Sequence, residues 1–129
     1  MRRSFIGIGL AAVMVAVIPT MALALSVSGD YDSVRIDRKA KEVVVTGHVT
    51  CDAGTTGHVR AVVLQGTREG AGEAPISCSG SETTWEVRMP LGSAPFHPGT
   101  AILEFGWEVT DGTTTVVSGR SVEVKIAPK

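Results

Sequence analysis

The sequence predicts an all-β domain, an immunoglobulin-like antiparallel β-sandwich of about seven or eight strands, with a partly closed β-barrel as the alternative. Three observations carry this. Short runs alternate apolar and polar residues with a period of two, as half-buried strands do. Gly, Pro and Asp fall between the runs. After the first 24 residues, no stretch of about ten keeps a helical apolar period.

The chain opens on an export signal. Met1-Arg2-Arg3 is a positively charged start, Ser4 to Gly29 carries no charge, and residues 5–18 are almost wholly apolar. Pro19 breaks the run, and Ala22 and Ala24 are the small residues that a signal peptidase reads. Residues 1–24 are therefore expected to form a signal-peptide helix that is removed, leaving 25–129 as one domain. An uncleaved anchor is the rival, since the apolar run approaches the roughly 20 residues that span a bilayer. Arg2-Arg3-Ser4-Phe5-Ile6 also fits the twin-arginine pattern, so both the general secretory and the twin-arginine routes stay open.

The strands follow in order. Residues 25–28 and 33–37 make an edge pair of short segments, with Val34 and Ile36 on one side. In 42–51, Val43, Val45, Gly47, Val49 and Cys51 share a face, and Val44, Thr46, His48 and Thr50 take the other. Residues 52–57 turn. Over 58–65, Val59, Ala61 and Val63 alternate against Arg60, Val62 and Leu64. Residues 66–75 read as a polar loop with three glycines, followed by a short strand to Cys78. Trp85, Val87 and Met89 point inward from 83–89, and 90–99 is a Pro-rich loop. Ala101, Leu103, Phe105, Trp107 and Val109 line one face of 100–109. Asp111-Gly112 predicts a type I′ hairpin turn. The last strand, 114–127, faces Val122, Val124 and Ile126 inward, with a bulge expected at Ser118-Gly119.

The chain holds 12 Lys and Arg against 13 Asp and Glu. Removing residues 1–24 takes away Arg2 and Arg3, so the mature part is mildly acidic. Without a basic cluster, nucleic acid and, after cleavage, membrane surfaces are poor partners. Cys51 and Cys78 are the two cysteines. In an exported chain an even count predicts a disulfide, worth roughly 3.5 kcal/mol for a loop of this size. In an antibody-type domain the disulfide spans the sandwich with a tryptophan between the cysteines. Here both tryptophans follow Cys78, so the bond is expected to clamp one end of the sandwich.

Val49-Thr50-Cys51, Val59-x-Ala61-Val62-Val63, Cys78-x-Gly80, Thr84-Trp85-Glu86-Val87 and Phe96-x-Pro98-Gly99-Thr100-Ala101, taken in this order, resemble a group of small secreted actinobacterial proteins of unknown function. The resemblance runs from about Val34 to Val124. It implies a signal peptide, one β-rich domain and a cysteine pair, and it brings no activity and no catalytic residue.

No constellation of catalytic residues assembles in the sequence. His48, His58 and His97 sit on separate segments, without zinc-ligand spacing. Ser93 and His97 could be drawn into a triad, yet no Gly-x-Ser-x-Gly elbow is present. Asp30, Asp32 and Asp37 could offer oxygens to calcium, but charges at an edge strand more often guard it. Glu104 and Glu108 lie about 13 Å apart by strand rise, too far for a glycosidase pair and better read as a solvated face. Trp85 and Trp107 read as core anchors. No catalytic residue, cofactor or metal is expected. The surfaces expected to meet a partner are the two loops, through Arg68, Glu69, Glu73, Phe96 and His97. For Phe96 a core plug is preferred over an exposed contact. The function expected is a non-enzymatic extracellular binding or interaction module for an extracellular protein or a cell-wall ligand. A small inhibitor or ligand carrier is the alternative, and a small hydrolase comes last.

Overall fold

Seven alternating segments become seven strands in the computed structural model, which describes residues 25–91 and 96–128. They are β1 (Val27–Asp37), β2 (Glu42–Cys51), β3 (Thr56–Gln65), β4 (Arg68–Ser77), β5 (Glu82–Pro90), β6 (Gly99–Thr110) and β7 (Thr115–Ile126). The expected export segment, with Ala22 and Ala24, lies outside the described residues.

Two antiparallel sheets form, ordered β1-β2-β5 and β4-β3-β6-β7. They stack as a sandwich and do not close into a barrel. Neighbours within each sheet come from distant parts of the chain: β2 pairs with β5, and β3 with β6. This is immunoglobulin-like connectivity, with the fourth strand moved onto the sheet of the third.

The period-two pattern sets the core. Val43, Val45, Val49, Val87 and Met89 of one sheet meet Val59, Ala61, Val63, Leu103 and Val109 of the other, all fully buried. Trp85, Phe105 and Trp107 fill the middle, with Phe105 edge-on to Trp107 at a centroid distance of 5.4 Å. The Trp85 indole N–H donates to the His48 carbonyl at 3.1 Å, so a large apolar body is buried with its polar atom satisfied. Val44 is also fully buried, although it lies on the outer face. It stands in register between Arg35 and Arg88, whose long stems can cover apolar surface.

Cys51 and Cys78 form the disulfide, with a Cα–Cα distance of 5.0 Å. It joins the end of β2 in one sheet to the end of β4 in the other, and so clamps one end of the sandwich. The Gly80 N–H donates to the Cys51 carbonyl at 3.0 Å and holds the following turn against it.

Four local expectations need correction. Residues 25–37 are not two short segments but one strand, β1, which absorbs an extra residue as a bulge between Tyr31 and Ser33. Residues 66–75 are not a loop: Gly66-Thr67 is a two-residue turn with positive φ at Gly66, and β4 begins at Arg68. Residues 118–119 hold no bulge, since β6 and β7 stay in unbroken register from Gly99↔Ile126 to Thr110↔Thr115. The turn after β6 has four residues and is not type I′, which needs positive φ at both central residues. Only Gly112 has positive φ, and the Asp111 carboxylate accepts the Thr113 and Thr114 N–H groups at 2.8 Å each.

Candidate functional site

The outer face of the four-stranded sheet carries a shallow groove of about 860 Å³. Its floor exists because two glycines meet. Gly106 and Gly119 are register partners on β6 and β7. A Cβ on Gly106 would lie 2.7 Å from the Ser118 carbonyl oxygen, and one on Gly119 would lie 2.7 Å from that of Phe105. No side chain can stand there, so the backbone is bare where β6 and β7 meet.

The walls come from alternate residues of the flanking strands. Arg60 on β3 is paired with Glu73 on one side and Gly106 on the other. Glu104 and Glu108 stand two residues either side of Gly106 on β6, and Val117 closes the β7 side. His58 Nε2 lies 3.4 Å from a Glu108 carboxylate oxygen, with both side chains about half exposed. The arrangement offers charges of both signs, a hydroxyl from Ser121 and apolar contacts from Val62 and Val117. Such a surface can hold an extended polar ligand by hydrogen bonds and salt bridges. Among the described residues, no set of three or more His, Cys, Asp or Glu converges as a metal site.

The residues expected at partner surfaces are dispersed. Glu69 and Glu73 stand on the rim of this groove, but on a strand and not on a loop. Arg68 opens β4 opposite Gln65. Phe96 is buried at 4% exposure. It is therefore the core plug and not a contact, and its ring abuts the space above Gly70 beside Met89. His97 is exposed, with its backbone tied down: the Gln65 amide donates to the His97 carbonyl and accepts from its N–H, each at 2.9 Å. Ser93 lies outside the described residues.

The three aspartates do not form a calcium cluster. Asp30 binds the Arg120 guanidinium, which holds its carboxyl below the ordinary range. Asp32 lies 3.0 Å from His48 Nδ1. Asp37 caps its own turn by accepting the Ala40 N–H at 3.1 Å, and with Arg88 beside it, it too is held low.

The groove residues Arg60, Gly106 and Val117, and Gly119 beside Gly106, were not singled out by sequence reasoning as a site. The available signal was a glycine inside each of two strands, which marks a bulge or a close backbone approach. Only the pairing of the two strands shows which.

No family model matches this chain, and no curated protein matches it. Among solved structures, it is similar to the solution structure of a protein assigned to the late embryogenesis abundant class, at 14% identity and a TM-score of 0.41. That match covers 90% of this chain and 76% of the other, and it bears on neither family nor function.

Proposed function

We propose that this chain is an exported, non-enzymatic binding module that holds an extracellular protein or a cell-wall ligand in the groove over Gly106 and Gly119. The observation that carries the proposal is the groove itself: a bare backbone floor between walls that carry acidic and basic side chains, built on a rigid sheet. The disulfide suits an oxidising compartment, and the resemblance to small secreted actinobacterial proteins points the same way.

Titration of isotopically labelled protein with soluble cell-wall fragments, and with fractionated supernatant proteins, tests the proposal. Amide shifts should concentrate around Arg60, Gly106 and Val117. They should vanish in an Arg60→Ala, Glu104→Ala double variant that keeps the wild-type melting temperature. Shifts centred elsewhere would overturn the groove, and turnover of a substrate by the purified protein would overturn the non-enzymatic assignment.

A further inference from the structure

We propose that the free edge of β7 is a self-association site, at which two copies pair antiparallel through residues 115–119 about a dyad at Val117. This does not depend on what the groove binds.

The four sheet edges differ in how they are guarded. Edge strands are normally blunted by charge, proline or bulges. β4 carries Glu69, Glu73 and Pro75, and β5 carries Glu82, Glu86, Arg88 and Pro90. β1 carries Asp30, Asp32 and Arg35 and has the bulge. From Gly112 to Gly119 the β7 side has no charge, no proline and no register break. Among the described residues, 115–119 have no strand partner on their outer side.

The backbone is oriented for pairing. Just beyond β7, Ala127 donates its N–H to the Val34 carbonyl at 2.9 Å and accepts from Ile36 N–H at 3.1 Å. Both groups therefore point away from β6. In an antiparallel ladder this direction alternates, so with unbroken register Thr115, Val117 and Gly119 also turn N–H and C=O to the free edge. A dyad at Val117 sets Val117 opposite its own copy and Thr115 opposite Gly119, which makes about six backbone hydrogen bonds.

The side chains and the charge favour a second copy as the occupant. Val117 is 73% exposed, more than any other large hydrophobic side chain among the described residues. The dyad places it against itself. Residues 115–119 carry no charge, so two copies can meet along this stretch without opposing like charges. Ser26, at the start of the described residues, donates its N–H to the Asp52 carboxylate at 2.9 Å, just past the end of β2 in the other sheet. Pairing would give one eight-stranded sheet and join the two grooves, each bordered by Val117, into a single trough.

Sedimentation analysis over a wide concentration range tests this. It should use protein recovered after expression of the full chain, with its N-terminus mapped by intact mass. Wild type should form a concentration-dependent dimer. Val117→Pro removes an N–H that faces the edge and no bond to β6, so the variant should fold and dimerise roughly 30-fold more weakly, the loss of two hydrogen bonds. Val117→Lys, which sets two like charges face to face at the dyad, should dimerise more weakly too, whereas Thr84→Lys on the opposite sheet should dimerise normally. If Val117→Pro fails to fold, Val117→Lys decides. A wild type that stays monomeric throughout, or a folded Val117 variant that dimerises as tightly as wild type, overturns the proposal.

Discussion

Where β4 meets β5, Gly70, Gly72 and Ala74 turn toward the other sheet, so the strands close on each other with little between them. A Cβ on Gly72 would lie 2.9 Å from both the Arg88 carbonyl oxygen and Val87 Cγ1. Where β1 meets β7, the inward position opposite Phe105 is instead an arginine. Arg120 places its guanidinium 5.5 Å from the Phe105 ring centroid and binds Asp30, and the seam finishes in the parallel backbone bridge at Ala127. One seam is sealed by packing, which salt and pH scarcely touch. The other is sealed in part by an exposed ion pair, which both can weaken. The disulfide ties β4's end to the opposite sheet, so it lies on the side that is already tightly packed.

This contrast can be broken in graded steps. Replacing both cysteines by serine should cost most, about 3.5 kcal/mol, read as a lower urea midpoint. Gly72→Val should follow at about 2–3 kcal/mol, because its new methyl groups meet backbone that cannot move aside. Arg120→Met keeps an apolar stem over Phe105 and removes the charge. With both partners well exposed, it should cost at most about 1 kcal/mol at neutral pH.

The smallest effect concerns acid. Asp30 is held below its ordinary value, chiefly by Arg120, so its contribution is complete above the unfolded value of about 4. That contribution fades as pH falls through the folded value. Urea titrations across this range should therefore show wild type and Arg120→Met converging toward low pH. A shallower decline should remain in the variant from Asp37 and Asp111, both also held low by backbone N–H groups. A gap that stays constant with pH would show that Arg120 acts through packing alone.

The same contrast explains what the sequence made legible. Strands that bury large side chains announce themselves: Trp85, Val87 and Met89, or Leu103, Phe105 and Trp107, alternate as their neighbours require. β4 does not. Its inward residues are Gly70, Gly72 and Ala74 because β5 is close, and that requirement belongs to the tertiary structure. A glycine-rich polar segment reads locally as a loop. Gly119 misled in the same way, as its smallness answers Gly106 across the ladder and not a bulge. Phe96 was legible as a plug because an aromatic in a small core is worth burying. The groove was hidden because Arg60, Glu104 and Gly119 come from three strands, and their meeting depends on register. Glu104 and Glu108 were correctly seen as sharing one face, but judging them as a pair overlooked the gap between them.

The Cys51–Cys78 bond closes a ring that contains the whole β3–β4 hairpin, including its tight turn at Gly66-Thr67. A protease that cuts this turn would produce two fragments which remain one covalent molecule, with β3 still seated between β4 and β6. Such a nick would leave the intact mass raised by a single water and would show as two bands only after reduction. The crosslink thus converts a cut at an exposed turn from loss of a strand into a tolerated scar.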